Sequence, residues 1–349
     1  MSRLLLFLIL IVPFFAQRSY SQGCSDAGFC TMGAMRPNQG FSKKVNLRVR
    51  SVEFTQYYGL TTFGLYIFSY TADVNVGITN RLTAQIKMPY QFVFGSLGNT
   101  QGFGDVSISF TQNLISKEAY QLNLSVGTKI PTGSANITKN VADRMGNFAD
   151  RPLPMYYQTT LGTYDVIAGV SFATKNWLFS TGIQIPLNKN GNQFLWVGTL
   201  AGWNETSDSA KAILYPKSRN LERGIDVMLR AERNFRFSNW NTYVGILAIY
   251  RLTKDRFLDG PVANGIEREI NTLNKIYQQN IETDNFAITV LVGGGYRFNT
   301  KSAIKLMVGY RLVDRFSVQL LEGKEFLVKR NADGLARLFV TNIGYEYRF

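Results

Sequence analysis

Asn342-Ile343-Gly344-Tyr345-Glu346-Tyr347-Arg348-Phe349 ends the chain, and its reading sets the fold. In an extended strand Tyr345, Tyr347 and Phe349 share one face, while Gly344, Glu346 and Arg348 share the other. An ordinary C-terminal edge strand is the alternative reading of these eight residues alone. The same period-two alternation, however, recurs upstream as far as residue 44. Val74, Val76 and Ile78 lead to a turn at Thr79-Asn80-Arg81, and Leu82, Ala84, Ile86, Met88 and Tyr90 answer them. Val106, Ile108 and Phe110 run to a turn at 116–119, followed by Leu122, Leu124, Val126 and Ile130. Further pairs turn at Lys175-Asn176, Ser238-Asn239 and Asn299-Thr300. With Val45 to Tyr58, Phe63 to Tyr70 and Leu335 to Phe349, the pattern predicts about twelve strands, within a range of roughly ten to fourteen. The first strand changes phase between Val49 and Val52, which predicts a bulge.

The connections carry as much information as the strands. Five turns are short, and between them lie long polar segments at 132–157, 187–221, 253–284 and 313–334, with a moderate one at 95–102. A sandwich has no reason to gather its long loops at one end. A membrane barrel does, with tight periplasmic turns and long external loops. On this reading both termini lie in the periplasm. The last strand then resembles the closing strand of bacterial outer-membrane β-barrels, where Asn342, Gly344, Tyr347 and Phe349 fill the signal read by the barrel-assembly machinery. The expected fold is all-β: an antiparallel, up-and-down transmembrane barrel over 44–349. Aromatics near strand ends (Tyr90, Trp177, Tyr250, Tyr296, Tyr347, Phe349) are expected in two lipid-interface girdles.

Composition agrees with that class. Arg3 followed by the apolar run Leu4 to Ala16 is too short to span a bilayer and reads as a signal peptide over 1–21. Lipidation at Cys24 is the alternative, but Ser21 stands where a branched apolar residue is wanted. No later apolar run reaches 18 residues, so no spanning helix is expected. A mean hydropathy of −0.07, with 25 Phe, 18 Tyr and 31 Gly, suits strands whose alternation averages out.

Cys24 and Cys30 are the two cysteines, and their spacing allows a disulfide loop in an oxidising compartment. A metal site is the alternative, but two thiols without a histidine lack partners. The chain has no histidine, which removes Ser-His and Cys-His catalysis and most zinc chemistry. Neither an enzyme nor a cofactor is expected. The net charge of +14 could suggest nucleic acid, yet the cations are scattered and form no recognition motif.

If the apolar set faces lipid, the other face lines the lumen. It carries Lys87, Lys129, Arg230, Arg297, Lys305 and Arg311 as possible solute contacts, with Arg48, Arg50, Arg251 and Arg348. The fewer acids there are Glu53, Asp105, Asp226, Glu232 and Glu346. Such a lumen either favours anionic solutes through its field or pairs its charges across strands to hold the barrel together. Residues 22–43 read as a lumen plug stiffened by the cysteine loop, or as a periplasmic tail. Within 265–281, Ile266, Ile270, Leu273 and Tyr277 stand at helical spacing, which predicts a short amphipathic helix in an external loop.

Three blocks resemble a known family. Gly102-Phe103-Gly104-Asp105-Val106-Ser107-Ile108, Leu124 to Gly133 with Lys129-Ile130-Pro131-Thr132-Gly133, and Gln158 to Asp165 with Gly162-Thr163-Tyr164-Asp165 resemble recurring elements of outer-membrane barrels linked to the meta-pathway of phenol degradation. Those barrels are related in architecture to the FadL-type channels. The N-terminal Cys-Ser-Asp-Ala-Gly-Phe-Cys block looks like a feature of related barrels from Bacteroidetes-type bacteria. The resemblance implies a channel in the Gram-negative outer membrane that passes small hydrophobic or aromatic molecules. Its partners would be membrane lipid, the assembly machinery and a small-molecule solute. A structural or adhesive barrel whose external loops bind a partner is the second expectation.

Overall fold

In the computed structural model the described residues are 48–60, 64–143, 145–195, 202–203, 206–212, 215, 218–219, 221–253, 256–258, 262–263, 266–267, 277–279, 286–313, 319–321, 324–326 and 339–349. Twelve long antiparallel strands form a ring. They are β1 (Arg48–Leu60), β2 (Tyr66–Gly77), β3 (Leu82–Gly95), β4 (Val106–Ser116), β5 (Tyr120–Ile130) and β6 (Asp165–Thr174). The second half comprises β7 (Trp177–Pro186), β8 (Asp226–Phe237), β9 (Trp240–Arg251), β10 (Phe286–Arg297), β11 (Ser302–Val313) and β12 (Phe339–Arg348). Each pairs with the next, and β12 closes on β1, with Ser51 opposite Arg348 and Phe54 opposite Tyr345. The closing strand is thus the one that the terminal octapeptide specifies. Ring closure leaves no long unpaired strand edge in the lipid-facing wall.

Alternation explains the wall. Along β2, Tyr66, Phe68 and Tyr70 point outward, while Ile67, Ser69, Asp73 and Asn75 are buried inside. Outward side chains such as Phe54, Ile86, Phe110, Val126, Leu229, Ile246, Val292 and Leu306 are well exposed, as lipid-facing residues must be. Aromatic rings gather at both ends of this belt. At the turn end Trp177 stacks on Phe179, Trp240 meets Tyr296, and Tyr347 meets Phe349. At the opposite end Tyr58 meets Phe68, and Tyr90 meets Phe92 and Phe103.

Five tight connections share one end with both ends of the ring. Thr79 Oγ1 accepts from the Arg81 and Leu82 amides, and Asn299 Oδ1 accepts from Lys301 and Ser302. These short side-chain caps explain why Thr and Asn occupy those turns. The expected bulge is present as a register shift between Val49 and Ser51.

Three features differ from the sequence expectation. The segment 95–102 is no plain loop: Gly98–Phe103 forms a strand that folds back on Tyr90–Gly95. The helix expected over 265–281 is absent from its described parts, where Ile266–Glu267 and Tyr277–Gln279 are short strands; residues 268–276 lie outside the described residues. The described residues of 131–164 and 187–225, segments polar by composition, build a core of their own at the loop end. Leu153, Met155, Tyr157, Phe194, Trp203 and Tyr215 are buried there with Leu65, Val93 and Leu97 of the barrel rim.

Candidate functional site: the charged inner wall

The three blocks that carry the family resemblance lie far apart in sequence and converge at one point. Asp105 sits at the break where Gly98–Phe103 ends and β4 begins. Lys129 is one residue from the end of β5, and Asp165 opens β6. The Lys129 ammonium lies 3.0 Å from Asp105 and 3.2 Å from Asp165, and all three are almost fully buried. Gln184 of β7 donates to Asp165 at 2.5 Å. Thr132 locks the break, donating to the Gly104 carbonyl at 2.7 Å and accepting from the Val106 amide at 3.2 Å. Gly133 belongs to the same knot, because a Cβ there would stand 2.1 Å from the Phe103 carbonyl oxygen. The Pro-Thr-Gly strand exit is therefore read by close backbone approach as well as by turn chemistry.

From this triad the charges continue in both directions. Arg223 lies 4.0 Å from Asp165 and 3.7 Å from Asp226. Arg251 forks onto Asp226 through Nε and Nη2, both at 3.0 Å. On the other side Asp73 holds Lys87 at 3.7 Å and Gln85 at 2.6 Å. Lys305 bridges Glu53 at 2.9 Å and Glu346 at 3.0 Å, and Arg348 grips Glu346 at 2.9 and 3.1 Å. Arg230 pairs with the fully buried Glu232.

These groups follow the hydrogen-bond register around the ring. Glu346 stands opposite Glu53, Glu53 opposite Asp73, and Asp73 opposite Lys87. Lys87 faces Ser107, Ser107 faces Lys129, and Lys129 faces Asp165. On β7 the row steps by two residues: Asp165 stands opposite Pro186, while Gln184, which donates to Asp165, faces Asp226, which faces Arg251. Strands in a closed barrel are tilted and staggered, so a row perpendicular to them winds along the axis. This row starts three residues from the chain end, at the turn end, and finishes at the last residue of β9, at the loop end.

Of the cations singled out from sequence, Lys87, Lys129, Arg230 and Lys305 stand on the inner face with acid partners. Only Lys305 among them keeps about a third of its side chain open, at 33%. Arg297 is exposed near the rim, at the end of β10. Arg311 lies opposite Thr289 in β11, with its side chain outside the described residues, as are Cys24 and Cys30. Asp73 and Asp165 were missed as members of the inner wall. The signal was there: each alternates with outward valines, Val74 and Val166.

The rest of the inner wall is unequal. Ile167, Met228 and Ile249 form a buried apolar patch with Leu247 beside it. Gly182 stands beside that patch, opposite both Gly169 and Met228. Gly344 on β12 keeps the room that the Glu53 carboxylate occupies, 3.0 Å from where its Cβ would stand.

The loop core above is held by specific bonds. The Tyr157 and Tyr215 hydroxyls lie 3.1 Å apart, the Leu97 amide donates to Tyr157 Oη at 2.9 Å, and Trp203 donates to the Pro152 carbonyl at 2.9 Å. Burial first, and Tyr157 second, pushes the Tyr215 phenol far above its ordinary range. Lys139 ties the first loop to the second through Asp208 at 2.7 Å. Burial alone would raise the Asp208 carboxyl, but Lys139 and Lys211 hold it below the usual carboxylate range.

No protein-family model matches the chain, and no curated protein matches it. Solved structures do. The crystal structure of an outer-membrane channel from Pseudomonas putida F1 superposes with a TM-score of 0.54 at 13% identity, covering 90% of this chain and 99% of that one. The translocator domain of the autotransporter NalP from Neisseria meningitidis gives 0.48 at 10% identity, over 88% of this chain and 90% of that one. The NanC porin gives 0.42 at 9%, over 85% and all of that chain. With its closed ring, apolar belt and paired aromatic girdles, the chain is a twelve-stranded β-barrel of the Gram-negative outer membrane.

Proposed function

We propose that the protein is an outer-membrane channel for small molecules with apolar or aromatic parts. The observation that carries this reading is the inner wall itself, where a patch of Ile167, Met228 and Ile249 stands among ion-paired residues. These side chains pack on one another and on Leu247, and a solute with an apolar face would take the place of those contacts as it passes. Capture would occur at the loops and passage along the inner wall, with no chemical step. The family resemblance points the same way. The segment 22–43 would gate the turn end, with Cys24 and Cys30 as its brace.

The second reading, a structural or adhesive barrel, draws on the pairing of the inner charges, which leaves them bound to each other. Planar-bilayer recording of the refolded mature protein separates the two. Unitary conductance that small aromatic solutes block supports the channel, and Met228→Arg should weaken that block. Correctly inserted barrels that stay silent, with and without reductant, would sink it.

A further inference from the structure

Every short turn of the barrel carries an exposed cation. Arg81 lies in the β2–β3 turn, Lys117 in β4–β5, Lys175 in β6–β7, and Lys301 in β10–β11, while Arg236 stands just before the β8–β9 turn with Arg233 below it. Among the described residues of these turns the acid is Glu118, next to Lys117. Among the described residues none of the six cations is ion-paired, in contrast to the inner wall. Two of them are instead braced on the aromatic girdle. The Arg233 guanidinium lies over Trp177 at 4.9 Å and Phe235 at 5.9 Å, and Lys117 lies over Tyr120 at 5.6 Å. Phe235 is exposed on the outer surface, so Arg233 projects beside the lipid-facing belt.

Depth follows from the girdle. Aromatic rings at a strand end mark the boundary between hydrocarbon and headgroups, so cations resting on those rings stand at headgroup level. An unpaired cation ring at that depth is complementary to phosphate-bearing lipid. We propose that the turn end is a collar that binds the anionic headgroups of glycerophospholipids in the leaflet it faces, with Arg233, between Trp177 and Phe235, as its anchor. This assigns part of the net charge of +14, which the lumen does not use.

Native mass spectrometry of the intact barrel, released from nanodiscs holding equal phosphatidylglycerol and phosphatidylcholine, tests the collar. The expected result is a preference for retained phosphatidylglycerol of about tenfold, reduced severalfold by Arg233→Gln and abolished when Lys117, Lys175, Arg236 and Lys301 are also changed to Gln. A control with Lys189→Gln and Lys211→Gln at the loop end should retain the full preference. Free glycerol phosphate should not displace the lipid, since the girdle fixes the headgroup by its depth; displacement would make the site a free-phosphate site and overturn the proposal. Equal retention of both lipids by the unaltered barrel would overturn it too, whatever the variants do.

Discussion

Lys129 shows what a single residue does in this wall. Its ammonium is the shared partner of Asp105 and Asp165, and its side chain is 1% exposed. Removing one member of a buried ion group strands the others, which costs about 3–5 kcal/mol. Lys129→Met, matched in length and apolar, should therefore lower stability against urea by that amount in detergent-refolded protein. Lys139→Met, at the partly exposed loop clamp, should cost less than about 1 kcal/mol. Equal losses from the two would mean that the triad is solvated and carries no special weight. The inward place of Lys129 was legible from alternation alone. So was that of Asp105, across the tight β4–β5 hairpin, but the pairing with Asp165 was not, because period-two alternation assigns a face but not which strand lies next across a loop of thirty residues or so.

At the scale of elements, the loop core behaves as a separate cooperating piece. The Lys139–Asp208 contact clamps its two halves. Asp208 is held below the ordinary carboxylate range in the native state, so its contribution is fully present above the unfolded value of about 3.9. It is lost as pH falls through the lowered native value. In a chain with Trp177, Trp196 and Trp240 replaced by Phe, emission from the buried Trp203 should stay constant from pH 7 to 5 and shift red only below about 4. Asp208→Asn should remove that step and leave Trp203 partly shifted at neutral pH; an unchanged titration would show that the clamp does not hold the core.

The same element shows where reading the sequence stops. The barrel strands and their five turns announce themselves by periodicity and by Thr, Asn and Ser at fixed places. The apolar residues of the loop core, such as Leu153, Tyr157, Phe194 and Trp203, have neither a helical nor a strand period, so only three-dimensional contact reveals them. Gly98–Phe103 was hidden for a different reason. Its composition, Gly-Asn-Thr-Gln-Gly-Phe, is that of a loop, and it is extended because the partner strand β3 overruns the ring.

The molecule as a whole is pinned by the winding row of ion pairs. A slip of one residue between neighbouring strands turns every inward side chain outward. A slip of two keeps the faces but moves Asp226 away from Arg251 and Asp73 away from Lys87. The charged row thus selects one stagger among those that the apolar belt would tolerate, as buried polar groups do when they specify register. Exchanging the partners tests this directly. Asp226→Arg and Arg251→Asp should each destabilise the barrel by about 3–5 kcal/mol, since each leaves like charges buried side by side. The double exchange restores a pair in the same register and should recover at least about 1.5 kcal/mol of coupling in a double-mutant cycle. Additive losses would mean that the stagger is set by the turns and the belt, with the inner charges following it. Recovery would show instead that the acids and bases of the inner wall choose the register in which the barrel closes.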